Sequence, residues 1–530
     1  MANDYYNHGS FPTTSSLGSS ALMRAELDSI AAGFDKLPSA TALQQLPVDA
    51  KSKGAKGDGV TDDTAAIQAA LTAGAGGLVY LPPGTYITTD ALSIPANTWF
   101  YGAGKGSVIK SLTLVNGGTN ASHRQIDIRG VAGVRVTDMT LDSSLQTGWT
   151  GGMRSIIAFQ ATDFRIERVH FKTNGAATAC LDSSYYWILD CDIEQISSDG
   201  TSKHDGVIDQ WYGSHHFVIR GNRIRGNGIG RYGILVTGQD TSGSSAPCYD
   251  FLIDGNEVSG QSQSGIWAMG RDGLVYRFQI VNNKVLDISA YYGLVLSEAY
   301  DFVASGNVIR NTAYAGIRAY NETSYTAAAD NSVIANNVVV NANTSTSVDD
   351  VAGSAITVSG LSAGLSISNN RVTGTTHRYA IYLSGNTSNC EVDGDCLATG
   401  VSGLIYNGGS GNRIPGGGIY QPTLTAIANV SASTAYSTTM WKREGNTVYV
   451  SGRLEVTPTA AASTDTQLGI SLPVASNFAD ANTAAGVGST SFGIVAAIYS
   501  DAVNDRAVLR FPAPNTLNNI VSFSFQYRVL

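Results

Sequence analysis

Charge is scarce in this chain. Only 14% of its 530 residues are Asp, Glu, Lys or Arg. The 33 Lys and Arg stand against 42 Asp and Glu, a net charge of −9, which argues against nucleic acid as the main partner. Cysteine is scarcer still: Cys180, Cys191, Cys248, Cys390 and Cys396 form an odd, scattered set. They make neither a metal-ligand spacing nor a disulfide framework, so buried reduced thiols are expected, with no metal and no other cofactor. No run of 18 apolar residues occurs, which excludes a membrane-spanning helix. The opening Met1-Ala2-Asn3-Asp4-Tyr5 lacks a basic stretch followed by an apolar one, so no secretory signal is expected and synthesis in a cytoplasm is. Glycine, by contrast, is abundant at 59 residues. Low charge with much Gly, Ser, Thr and Asn suits a β architecture rich in corners.

The corners repeat. A short apolar strand, then Asn or Asp, then any residue, then an aliphatic recurs at Asn222, Asn256, Asn283, Asn307, Asn337, Asn370 and Asp395. The steps are 34, 27, 24, 30, 33 and 25 residues. A second phrase, a small residue before an apolar strand, is interleaved: Gly206-Val207, Gly233-Ile234, Gly265-Ile266, Gly293-Leu294, Gly316-Ile317, Ala355-Ile356, Ala380-Ile381 and Gly403-Leu404. One such unit cannot bury its own apolar face, whereas stacked units can. The pattern predicts a parallel β-helix with one rung per period. Asn suits a sharp corner because it tolerates left-handed backbone. An antiparallel sandwich would need two-residue hairpin turns at each reversal, and these corners do not show them.

The flanks differ from the repeat. Residues 1–50 read as an arm carrying a short helix, with Met23, Leu27, Ile30, Phe34 and Leu37 on one seam. Residues 51–110 hold Gly57-Asp58-Gly59-Val60-Thr61-Asp62-Asp63-Thr64, a helix start capped by Thr61 or Asp62, and then Val79-Tyr80-Leu81-Pro82-Pro83-Gly84-Thr85-Tyr86. The acids Asp58, Asp62 and Asp63 are read as capping groups rather than a calcium site. Residues 111–415 are the rungs. From 420 to 530 the text alternates apolar and polar, as in Thr447-Val448-Tyr449-Val450-Ser451, which predicts antiparallel, half-exposed strands in a sandwich or jelly-roll.

The segment 54–110 resembles the N-terminal cap of the pectate-lyase-like right-handed β-helix proteins, and among them the tailspikes of bacteriophages. The resemblance implies an all-β right-handed parallel β-helix with a C-terminal sandwich for trimer assembly or sugar binding. It also implies an arm fixed to a phage tail, a homotrimer on the virion, and a bacterial capsular polysaccharide or O-antigen as partner. The polar flank of such a helix suits an extended polysaccharide.

Hydrolysis of a glycosidic bond uses two carboxylates about 5–9.5 Å apart, a span reached by acids one or two rungs apart. Aligning rungs on the small-residue phrase puts Asp182 and Asp209 in one column, below Val236, Ala268 and Leu296. A stacked acid pair raises one pKa, as a general acid requires; the alternative is a polar end of the core. The stretch Lys203-His204-Asp205-Gly206-Val207-Ile208-Asp209-Gln210-Trp211-Tyr212 adds Asp205 as a third acid. His204, Trp211 and Tyr212 there could bind sugar, as could Arg231, Tyr232, Trp267 and Tyr292 on nearby rungs. Glu298, after an outward Ser297, is a candidate partner acid. Asp163, Asp250 and Asp301, each before Phe, read as turn residues.

The leading expectation is endo-cleavage of a surface polysaccharide by hydrolysis. A lyase using His204 or Tyr212 as base and Arg231 as cation is the runner-up. A spike that only binds glycan, and a deacetylase (though no Gly-x-Ser-x-Gly elbow is present), complete the alternatives.

Overall fold

In the computed structural model, the structure describes residues 46–112, 123–145, 153–196, 206–239, 245–321, 331–393, 397–399, 403–409, 412–414, 416–435 and 439–529, with Asp28 and Ile30. The arm and nearly all of the seam at residues 23–37 lie outside the described residues.

Among the described residues the chain before Asn407 forms three parallel sheets of 13, 13 and 12 strands. A rung takes one strand from each in turn. One rung is Ser184–Leu189, Asp192–Gln195 and Gly206–Gln210; the next is His215–Arg220, Arg223–Arg225 and Tyr232–Thr237. Successive rungs pair in register, Ile188 on Ile219 on Ile253 in the first sheet and Ile193 on Ile224 on Val258 in the second. Every strand presents alternate residues to one common interior, and stacking turns those residues into continuous files. Phe164, Tyr186, Phe217, Phe251, Phe278 and Phe302 make such a file, with ring centroids 4.6, 5.0, 4.7, 4.6 and 5.4 Å apart.

The Asn periodicity has a different cause from the one read in the sequence. Left-handed backbone belongs to the residue before each Asn: Gly221 (φ +68°), Gly255 (+64°), Asn282 (+57°), Gly306 (+69°) and Asn336 (+57°). The phrase Asn itself turns inward. Asn222, Asn256, Asn283, Asn307, Asn337 and Asn370 are all buried and stack one above another, each Nδ2 donating to the Oδ1 of the next at 2.9–3.0 Å. Each Oδ1 also accepts from the backbone N–H of the preceding Asn. The corner between first and second sheets would otherwise bury unpaired donors, and the amide file satisfies them.

The positions before Phe are not turn residues as read from the sequence but lie near the start of first-sheet strands, Thr162–Glu167, Cys248–Asp254 and Ala299–Ser305, where Asp163, Asp250 and Asp301 take left-handed backbone with φ of +50°, +54° and +53°. The first rungs are closed by the helix Thr64–Ala73, which buries Ile67, Ala70 and Leu71 completely. Asp63 stands at its N-cap position and accepts from Lys56 N and Gly57 N, while Asp62 accepts from Thr64 N and from the Thr64 and Thr89 hydroxyls. These contacts occupy the acids as loop-tying acceptors. The described cysteines Cys180, Cys191, Cys248 and Cys390 are buried and unbridged; Cys396 lies outside the described residues.

From Gly416 the strands run antiparallel in one ten-stranded sheet. Thr439–Glu444, Thr447–Pro458 and Asn519–Arg528 pair along their length. Strict alternation in Asn519–Arg528 buries Val521, Phe523, Phe525 and Tyr527 and leaves the intervening residues to the outer face.

Candidate active site

The third sheet carries the candidate residues, and its register decides their neighbours. Gly206 pairs with Tyr232, not with Gly233, and Asp209 pairs with Ala179 below and Leu235 above. The small-residue alignment is therefore one residue out at this rung. A one-residue slip exchanges the faces of a strand. The interior column beneath Val236, Ala268 and Leu296 is Cys180 and Gln210. Asp209 belongs to the outer face.

Asp182 does not stack on Asp209. It sits past the end of Ala176–Leu181 at the corner to the first sheet, with φ +46°, and accepts from Gln160 Nε2 at 3.0 Å. Glu298 is likewise a corner residue, φ +48°. Its Oε2 accepts from Asp272 N at 2.7 Å, tying down the turn at Arg271 and Asp272. The acid pairs Asp182–Asp209 and Glu298–Asp209 are thus not assembled by stacking, because both partners are used as turn acceptors. His204 and Asp205 lie outside the described residues.

Asp209 is fully buried on the outer face. A Cβ at Gly206 would fall 2.4 Å from its Oδ1, so glycine there lets the carboxylate lie close over its own strand. In the same column, going up the stack, come Leu235, Trp267, Val295, Arg318, Thr357, Tyr382 and Tyr406. Trp211 is 5% exposed, and Tyr212 is half-buried with its carbonyl accepting from Asp182 N at 2.8 Å.

The aromatic candidates above Asp209 do converge. Tyr232 meets Trp267 edge to face, with centroids 5.0 Å apart at 81°. Arg231 lies over the Tyr232 ring at 5.3 Å and its Nε reaches Gln263 Oε1 at 3.3 Å. Trp267 is half-buried; its Nε1 donates to Ser297 Oγ at 2.8 Å. Tyr292 packs with Val295 and Ala315, and Trp267, Tyr314 and Tyr320 close around them.

At the centre of this group stands Arg318, which the sequence reading missed. Its guanidinium lies 4.8 Å from the Tyr292 ring and 4.3 Å from the Tyr320 ring, and it donates to the Tyr292 hydroxyl. Burial raises the Tyr292 pKa, and the Arg318 charge pulls it partly back. A cation held between two rings is stabilised by their quadrupoles and is stiff. The signal for Arg318 was its register, one column with Trp267, since each stands two residues after its small-residue anchor, Gly316 and Gly265. Sheet three thus offers a carboxylate at one level, aromatic rings above it, and a guanidinium held beside two phenols. Among the described residues no cluster of His, Cys, Asp and Glu could hold a metal ion, and no helix is long and apolar enough to cross a membrane.

Comparison with known proteins places this architecture. Residues 48–285 match the family model "Rhamnogalacturonase A/epimerase, pectate lyase-like", and residues 205–397 match "Right handed beta helix region". The fold is a right-handed parallel β-helix. Among solved structures with this β-helix, the A-module of the mannuronan C-5 epimerase AlgE4 of Azotobacter vinelandii superposes with a TM-score of 0.51 at 20% identity, covering 68% of this chain and 98% of that one. Among curated relatives, the pre-neck appendage protein of Bacillus phage phi29 is 30% identical over 188 residues, 31% of this chain and 22% of the relative. The mannuronan C5-epimerase AlgE3 of Azotobacter vinelandii is 34% identical over 146 residues, 24% of this chain and 8% of the relative. The chain thus spans less than a quarter of the length of either curated relative.

Proposed function

We propose that the protein is a phage tail spike that lays an extended bacterial surface polysaccharide, capsule or O-antigen, along the outer face of the third sheet and cuts it internally. The observation that carries this reading is the group of Tyr232, Trp267 and Tyr292, with Arg318 and Tyr320 on one further strand, spread over four consecutive rungs. Aromatic faces take pyranose rings and the rung spacing presents them in series. The similarity to a phage appendage protein and to polysaccharide-modifying enzymes supports the setting. In this reading three chains associate, and residues 1–50 attach them to the tail.

For hydrolysis, Asp209 is one carboxylate, and Asp205, four residues before it, supplies the second. Asp182 and Glu298 position turns. Elimination on a uronate is the second reading, favoured by the contact of Arg318 with Tyr292. The guanidinium would neutralise the sugar carboxylate, and a phenol would move the proton at the adjacent carbon.

Product analysis separates them. Wild-type protein incubated with a panel of capsular polysaccharides is expected to give shorter chains. Saturated products lost in Asp209→Asn indicate hydrolysis. Products with the absorbance of an unsaturated sugar, lost in Arg318→Ala and Tyr292→Phe, indicate elimination. Binding without shorter chains refutes cleavage and leaves a glycan-binding spike; neither binding nor cleavage refutes the reading.

A further inference from the structure

Two rungs above Arg318 the third sheet carries a second aromatic group. Arg318 pairs with Thr357, Thr357 with Tyr382, and Tyr382 with Tyr406. Tyr382 and Tyr406 stack with centroids 4.7 Å apart at 8°, and Tyr379 leans on both at 6.0 and 5.4 Å. All three rings are half-exposed. None of their hydroxyls makes a hydrogen bond within the described residues, unlike the buried Tyr186, Tyr420 and Tyr527, whose hydroxyls are all engaged. Packing does not account for the cluster, since the interior columns beneath it are Ile381, Leu383 and Ile405. Arg378 beside it is paired with Asp350, and the Asp349 and Asp350 carboxylates both act on Tyr382, so the patch offers no free cation to an acidic sugar, in contrast to Arg318, whose guanidinium has no carboxylate partner among the described residues.

We propose that Tyr379, Tyr382 and Tyr406 form a distal subsite that stacks and hydrogen-bonds a neutral pyranose of the same polysaccharide chain held at Tyr292 and Arg318. This rests on the reading of the third sheet as the glycan face. From Arg318 to Tyr406 is three rungs, about 14 Å at the spacing of paired strands, which a single sugar cannot bridge. From Tyr232 to Tyr406 is six rungs, about 29 Å. The subsite therefore selects for chain length: an oligosaccharide engages the distal rings only once it spans the rungs between. It also matches the patch to an uncharged residue, while the arginine-bearing centre favours an acidic one. A repeat mixing acidic and neutral sugars meets both.

The test is a chain-length series. Affinities of the full-length protein for acidic capsular polysaccharides and alginate, and for size-fractionated oligosaccharides from each, are measured by titration calorimetry. Wild-type affinity is expected to step up at the length that reaches Tyr406. Tyr382→Ala/Tyr406→Ala is expected to lose that step, about ten-fold on polymer from the loss of two stacking rings, and to match wild type on the shortest fragments. Tyr382→Phe/Tyr406→Phe, which keeps the rings, retains most of the step and shows that the rung still forms. Equal affinity of wild type and the double Ala variant on polymer overturns the distal subsite while leaving the glycan face in place. A wild-type protein that binds no member of the series overturns both.

Discussion

Replacing Asn283 by Ala tests whether the amide file holds the rungs together. Asn283 is fully buried. Its Nδ2 donates to Ile253 O at 3.0 Å, Val281 O at 2.9 Å and Asn307 Oδ1 at 3.0 Å. Its Oδ1 accepts from Asn256 N and Asn256 Nδ2, both at 2.9 Å. Truncation keeps the backbone bond from Asn283 N to Asn307 Oδ1 but strips the partner from a buried backbone N–H and from one amide hydrogen of Asn256. An orphaned buried donor costs roughly 1–3 kcal/mol, so two of them destabilise by about 4 kcal/mol. Spread over the entropy of some 350 cooperatively unfolding residues, that lowers the thermal midpoint by on the order of 5 °C. Stacked rungs also open locally. Hydrogen exchange should therefore accelerate first at Asn256 and in Val275–Val281 and Lys284–Ile288, the strands around the lost side chain. An unchanged midpoint together with unchanged protection of the Asn256 amide would refute the argument, since among the described residues the Asn256 N–H has Asn283 Oδ1 as its acceptor.

Two further outcomes follow from single residues. Glu298→Gln keeps an acceptor for Asp272 N, so a corner role predicts wild-type stability and turnover, whereas a general acid at this position predicts loss of turnover with the fold intact. His377 is 1% exposed, and burial lowers its pKa to about 4 from 6.5. The native state therefore binds fewer protons than the unfolded chain between those values. Its contribution is fully present above about pH 6.5 and is lost as pH falls toward 4, about 3 kcal/mol in all. Urea midpoints for His377→Leu should fall less steeply than wild type over that window, and parallel curves would reject the account.

The architecture was legible because stacking writes itself into spacing. Asn222, Asn256 and Asn283 do lie one above another, and the cause is a hydrogen-bonded file, which demands the same residue type in the same place on each rung. The explanation from left-handed backbone failed because the corner divides two jobs between neighbours: Gly221 bends and Asn222 pairs. The site was less legible. Rungs differ in length, so a motif fixes register only where nothing has been inserted; between Gln195 and Gly206 the chain carries ten residues, and the alignment slipped by one. That slip placed Asp209 in the interior column of Val236, whereas the link to Asp182 came from setting Ala179 beside Gly206, when Ala179 pairs with Asp209 three residues further on. Tyr232, Trp267 and Tyr292 come together because their rungs, anchored on Gly233, Gly265 and Gly293, pair in the register read from the sequence.

The uneven rung lengths also explain why the candidate residues gather on one face. The corner from first to second sheet is two residues long at Asp190-Cys191, Gly221-Asn222 and Gly255-Asn256, and the amide file fixes it. An insertion there would break the file and orphan buried donors on two rungs. Among the described residues the connections into and out of the third sheet carry no such file, and they run from one residue to more than ten, since loop closure grows only slowly with length. Variation is therefore cheap beside the third sheet and expensive at the opposite corner. A rigid spine on one side and free loops on the other leave the outer face of the third sheet as the surface whose side chains can change without loss of the fold, and that is where Asp209, Trp267 and Arg318 stand.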